Sequence, residues 1–219
     1  MDFRWNIVIE YLPLFIDGMK LTLLISLLGV IFGSIWGLLI AFGRMIKNGW
    51  LRFPFSLYVN FFRCTPMLVQ LLLIHFGVMP LIMSTPNAVI SAIVTLTLNS
   101  GAYMAEIFRA GIQSIDRGQT EAARSLGMNQ IQAMRFVVLP QAIKRMIPPL
   151  GNEFITLIKD SSLASVIAAH ELLYYGRAPM GHYSRPWEGL LSAAFIYFVI
   201  CMTLTVIVDK VEKRLKIDD

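Results

Sequence analysis

Apolar runs and short polar breaks alternate along this chain, and the runs are long enough to measure against a bilayer. Residues 21–43 hold no Asp, Glu, Lys or Arg, and about 20 such residues cross a hydrocarbon core as a helix. Gly29, Gly33 and Gly37 recur in that run every four residues, a spacing that lets a second helix approach closely. A second span is predicted over about 55–79, with Arg63 in its first turns. Residues 64–105 then carry no charge apart from the titratable His75. That is too long for one crossing, and Pro80, Ser84, Thr85, Pro86 and Asn87 place a turn in its middle. A third span follows over about 88–110, a fourth over about 146–167 and a fifth over about 189–208. The reading is a single transmembrane domain, 1–219, of the all-α membrane class with five transmembrane helices.

Five crossings put the two ends on opposite sides. Arg44, Lys47 and Arg52 fall in one loop, Arg117, Arg124, Arg135, Lys144 and Arg145 in another, and Lys210, Lys213, Arg214 and Lys216 in the tail. All three segments share a side if the N-terminus is outside, and the excess of basic residues makes that side the cytoplasm. Ahead of the first span, Trp5, Ile9, Leu12 and Ile16 share a helical face, with Asn6, Glu10 and Asp17 turned away. This predicts a short outer interfacial helix, with an outward extension of the first span as the alternative. The outer loop, 168–188, mixes His170, Glu171, Tyr174, Arg177 and Trp187, as anchors at a water interface do.

Composition fits the pattern. Charged residues make up 15% of the chain against roughly a quarter in soluble domains. The net charge of +5 is explained by the basic loops, and no basic run with interleaved aromatics suggests nucleic acid. Cys64 and Cys201 both fall in apolar segments and read as small core residues. No removable signal peptide is expected at the N-terminus. No His/Cys cluster has metal-ligand spacing, and no nucleophile–base set stands out.

The loop 113–145 is not linker-like. Asp116 followed by Gln119 offers a capping box, and Glu121, Ala122, Ala123, Arg124 and Leu126 continue a helix. Gly127 can end it in the left-handed conformation. Asn129 with Gln132 offers a second box, and the helix it opens is expected to stop at Pro140. The segment is a helix–glycine–helix elbow, and an ordered elbow in a loop suggests a binding surface.

Here the sequence resembles a known family. Glu121-Ala122-Ala123, Gly127 and Leu139-Pro140 look like the EAA signature of bacterial ATP-binding-cassette importer permeases. More narrowly, the chain resembles the polar amino acid permease family through RCTPMLVQ at 63–70, GAYMAEIFRAGI at 101–112, RGQTEAARSLG at 117–127, LPQA at 139–142 and IKDSSLASVI at 158–167. Ser161-Ser162 departs from the Thr-Ser often found there. The resemblance implies a multi-pass protein of the bacterial cytoplasmic (inner) membrane whose elbow is a coupling helix. Glu121, Ala122, Ala123 and Gly127 would seat it on a separate ATPase subunit that binds ATP and Mg. The chain has no GxxxxGK(S/T) loop of its own, so it is expected to be no enzyme by itself and to bind no cofactor. The resemblance also implies an extracytoplasmic substrate-binding protein. Five spans do not easily enclose a path, so a second permease, identical or related, is expected as well.

Charges inside the spans need a reason, since each costs at least about 2.5–3.5 kcal/mol to insert. Glu153, Thr156 and Asp160 lie at i, i+3 and i+7 on one face of the fourth span. Ser91, Thr95, Asn99 and Glu106 mark a stripe on the third, with Tyr103 beside it. Two carboxylates on one face attract a cation. The expected substrate is therefore a basic amino acid such as arginine, lysine or histidine, held by Glu153 and Asp160 with Asn99, Tyr103 and Thr156 as hydrogen-bonding partners. A neutral polar cargo such as glutamine is the alternative, with Asp160 then pairing with Lys159 or another span. Glu106 and Arg109, one turn apart, are expected to form a local ion pair, Arg63 to snorkel or pair with an acid, and His75 to bond a neighbour. Two other readings are an ion-coupled secondary transporter, which would show internal repeats, and a membrane scaffold, which would leave the polar stripes unexplained.

Overall fold

A computed structural model describes residues 2–215, and every regular element among them is helical. Lys216, counted above with the basic tail, lies outside the described residues. The elements are α1 (Trp5–Arg44), α2 (Gly49–Cys64), α3 (Met67–Leu72), α4 (Ala88–Gln113), α5 (Arg117–Ser125), α6 (Gln130–Ala133), α7 (Leu139–Asp160), α8 (Leu172–Tyr183) and α9 (Pro186–Leu215). Three of them, α1, α4 and α9, are long and apolar enough to cross a membrane, and a fourth crossing exists if α2 and the helical turns after it are taken together.

The α1–α4 pair is the backbone of the fold, and the glycine stripe explains it. A Cβ at Gly29 would meet the Leu96 side chain at 2.9 Å, and one at Gly33 would meet Ser100 at 2.9 Å. At that distance a side chain cannot fit, so α4 rests directly on the α1 backbone. Ile25, Leu96, Leu157 and Ala164 close the core where α1, α4 and α7 meet.

Four expectations are corrected. The separate interfacial helix does not form: α1 runs unbroken for 40 residues through Pro13. Ile7, Tyr11 and Phe15 bury against Leu172 and Ala193 and hold the first turns in line. The expected apolar face, Trp5, Ile9, Leu12 and Ile16, stays exposed. The straight second span is broken as well. α2 and the helical segment Met67–Leu81 meet at 109°, because Pro66 forces Thr65 into extended backbone at φ −113° and ψ 146°. Pro66 also lacks the N–H that would have satisfied the Phe62 carbonyl. Gln70 Nε2 donates to that oxygen at 2.9 Å instead, joined by Asn99 Nδ2 at 3.3 Å. A broken helix at membrane depth survives when neighbours satisfy its freed groups.

The third correction concerns Pro140, which does not stop the elbow. A π-helical stretch, Met134–Val138, leads straight into α7, with Pro140 in its first turn. Proline is tolerated in the first turn of a helix, where its missing N–H costs least. Last, the outer loop is not merely a set of anchors. It folds as α8, whose N-cap Glu171 accepts from the N–H groups of Leu173 at 2.9 Å and Tyr174 at 2.7 Å. The Tyr197 hydroxyl also donates to Glu171 at 2.7 Å, which ties α8 to α9.

Candidate functional site

The elbow is built as its sequence dictates, with one exchange. Asp116 Oδ1 accepts from the Gly118 N–H at 2.7 Å and caps α5. The return bond expected from Gln119 is absent, and Gln119 Oε1 accepts from Gln141 Nε2 at 3.3 Å. α5 ends at Gly127, whose φ is +86°. The Met128 N–H bonds the Ala123 carbonyl at 3.2 Å and the Gly127 N–H bonds that of Arg124 at 3.0 Å, the two bonds of a Schellman motif. The second capping box is complete: the Gln132 N–H donates to Asn129 Oδ1 at 2.9 Å and the Asn129 N–H to Gln132 Oε1 at 2.8 Å.

Ala123 faces inward, while Glu121, Ala122 and Gly127 are exposed. Leu126 and Ile131, 82% and 78% exposed, form an apolar tip that nothing in the chain covers among the described residues. The base of the elbow is firm. Ile115, Val138, Ala142 and Met146 pack together, and Arg145 donates to the Ser114 carbonyl at 2.6 Å. From Gln130 onward the elbow is one continuous helical path into α7.

α7 carries the polar stripe. Glu153 and Asp160 are half-buried on it and Thr156 is exposed, its hydroxyl donating to its own helix at Asn152 O, 3.1 Å. Seven residues of helix separate the two carboxylates by about 10 Å along the axis. Ser100 of α4 has a wholly buried hydroxyl with no hydrogen-bond partner among the described residues. Neither Glu153 nor Asp160 makes an ion pair among those residues, and Lys159, adjacent to Asp160, is not within pairing distance of it. The pairing of Lys159 with Asp160 weighed from the sequence does not form.

The two α4 candidates are engaged elsewhere. Asn99 is buried, and its amide nitrogen is used by the Phe62 carbonyl and by Gln70 Oε1 at 2.8 Å. Tyr103 lies under the Arg63 guanidinium, 5.5 Å from ring centroid to charge, in a cavity of about 400 Å³ also lined by Glu106, Ser114 and Arg145. The geometry thus gathers Glu153, Thr156 and Asp160 on α7 and separates Asn99 and Tyr103 from them by role.

Two features escaped the sequence reading. Glu106 is more than half of a local pair: Arg109 and Arg44 both bond it, and Arg63 stands 4.0 Å away. Three helices, α1, α2 and α4, are clasped by one carboxylate. Gln70 was the other, and its position four residues after Pro66 was the available signal. His75 does bond a neighbour, Ser91, at 2.8 Å.

Comparison with known proteins completes the picture. The glutamine transport system permease protein GlnP of Escherichia coli is 38% identical over 220 residues, covering 99% of this chain and all of that one. The arginine transport system permease protein ArtQ of Bacillus subtilis is 35% identical over 222 residues, covering both chains fully. Among solved structures, an amino acid ABC transporter crystallised with histidines superposes at a TM-score of 0.92 with 42% identity, over 98% of this chain and all of that one. Residues 29–217 match the model of the binding-protein-dependent transport system inner membrane component. With its glycine-packed helices, EAA elbow and full-length relatives, this chain belongs to that family, as a transmembrane permease of the amino-acid ATP-binding-cassette transporters.

Proposed function

We propose that this chain is the membrane subunit of an ATP-driven importer whose cargo is a basic amino acid: arginine, lysine or histidine. One observation carries the cargo assignment. Glu153 and Asp160 share a face of α7 with no counter-ion among the described residues, whereas Glu106, Glu171 and Glu188 each have donors. An uncompensated carboxylate pair in a low-dielectric path is costly until a cation arrives, so a cationic side chain is the complementary ligand. Thr156 would add hydrogen bonding, Tyr103 would line the path further along α4, and Asn99 would hold the frame.

In this reading α1, the α2–α3 pair, α4, α7 and α9 make five crossings, with the N-terminus outside and the basic loops cytoplasmic. A separate ATPase subunit, carrying ATP and Mg, would grip the elbow at Glu121, Ala122 and Gly127, with Ala123 packing beneath and Leu126 and Ile131 as apolar anchors. A second permease would complete the path, and a substrate-binding protein would deliver cargo from outside. A neutral cargo such as glutamine is the second reading, supported by the full-length similarity to GlnP. Membership of the ATP-binding-cassette family argues against ion-coupled transport.

The test is ATP-driven arginine uptake by the reconstituted complex, measured against unlabelled competitors. Competition by lysine and histidine but not glutamine is expected. Competition by glutamine alone would leave the importer and overturn the cargo.

A further inference from the structure

Where α1 and α9 begin, two cavities share a wall. One, of about 480 Å³ and termed the polar cavity for its charged groups, has a mainly apolar wall that sets Asp2, Arg185 and Glu188 beside Phe3, Trp187 and Leu191. The other, of about 860 Å³, is an apolar groove between the helices, lined by Phe3, Trp5, Leu12, Leu191, Phe195 and Phe198. Phe3 and Leu191 line both, so the groove and the polar cavity lie side by side.

Its place in the fold says what solvent it meets. The most apolar window of α9 is only 6% buried inside the chain, against 33% for α1 and 56% for α4. Trp5 and Trp187 stand exposed beside the two cavities, and indole rings favour the headgroup level of a bilayer. The groove therefore runs at acyl-chain depth and the polar cavity at headgroup depth.

The polar end is built around Arg185. Its Nη1 donates to the Asp2 carbonyl at 2.6 Å and to Glu188 Oε1 at 3.2 Å, which fixes the guanidinium. Its remaining nitrogens have no protein partner among the described residues, and a planar guanidinium fork suits a phosphodiester. Glu188 is nine-tenths buried and its Oε2 also lacks a partner among those residues. Among the described residues the cavity carries charges of both signs, Arg185 against Asp2 and Glu188. A head that carries an ammonium beside its phosphate matches both signs.

We propose that this junction binds one zwitterionic phospholipid, its phosphate on Arg185, its ammonium toward Asp2 and an acyl chain in the groove between α1 and α9. The site depends on the membrane setting of the family and not on the cargo or on the direction in which the chain is inserted.

Native mass spectrometry of the intact transporter complex tests it, after delipidation and re-addition of dioleoylphosphatidylethanolamine, dioleoylphosphatidylglycerol or soluble glycerophosphoethanolamine. One retained ethanolamine lipid per permease chain is expected, with occupancy falling about tenfold or more in Arg185→Ala. Phe195→Trp, which fills the groove and leaves the polar cavity intact, should also release the lipid. Unchanged retention in both variants would overturn the site, as would a lipid-free complex whose groove is covered by a second permease. Equal retention of the glycerol lipid would overturn the head assignment. Binding of the soluble head as tightly as the lipid would overturn the acyl groove.

Discussion

Glu106 on α4 and the Glu153–Asp160 pair on α7 are the same chemistry in opposite settings. Glu106 is gripped by Arg44 and Arg109, with Arg63 4.0 Å away, so its charge is spent on joining three helices. Glu153 and Asp160 have no ion-pair partner among the described residues. A carboxylate neutralised within the chain serves the scaffold. In the proposed function, one left without a counter-ion keeps an attraction for a cationic cargo.

Breaking the scaffold side should cost most. Glu106→Gln leaves Arg44 and Arg109 crowded without their counter-ion, and hydrogen bonds to a charged group contribute about 1.5–3 kcal/mol. Thermal unfolding of the purified complex should show the loss, with transport of every cargo falling together. Gln70→Leu comes next. It strips the Thr65 carbonyl of its amide donor and leaves the Phe62 carbonyl only the longer bond from Asn99, and a buried group left unsatisfied costs about 1–3 kcal/mol. Unfolding should again shift, and uptake of arginine and glutamine should fall alike, as expected of a frame residue.

A smaller structural effect is expected at the elbow. Gly127→Val puts a β-branched residue at φ +86°, a cost of about 1–2 kcal/mol for an L side chain. The complex should still assemble, while substrate-stimulated ATPase activity and uptake fall apart from each other. Unchanged coupling in a folded complex would remove Gly127 from the transmission path. Smallest in stability is Glu153→Gln, which removes an uncompensated charge. Unfolding should not worsen, because Glu153 has no ion-pair partner to lose among the described residues. Its effect belongs to transport of cationic cargo alone.

Local chemistry was legible in the sequence. The positive φ at Gly127, the reciprocal Asn129–Gln132 cap and the close approach at Gly29 and Gly33 follow from residue type and spacing over a few turns. What escaped lies in contacts between distant segments. Arg44 and Glu106 are 62 residues apart, so the charge clasp needs the α1–α4 packing before it exists. The break at Thr65–Pro66 had a signal in the Thr-Pro dipeptide, overridden by an apolar run long enough to cross on its own. The first turns of α1 show the reverse case. Their amphipathic pattern suggested a separate helix, but burial of Tyr11 and Phe15 against α8 and α9 decided otherwise. In the site, the α7 face was readable from helical periodicity. The duties of Asn99 and Tyr103 were not, because Gln70, Phe62 and Arg63 reach them only in three dimensions.

The most direct test of the central claim is the ratio of arginine to glutamine uptake in the wild-type complex and in Glu153→Gln, both reconstituted at equal thermal stability. If the α7 carboxylates await a cation, arginine is preferred in the wild type and the ratio falls about tenfold or more in the variant, equivalent to about 1.4 kcal/mol. A ratio that favours glutamine from the start, or one that the substitution leaves unchanged, would contradict it.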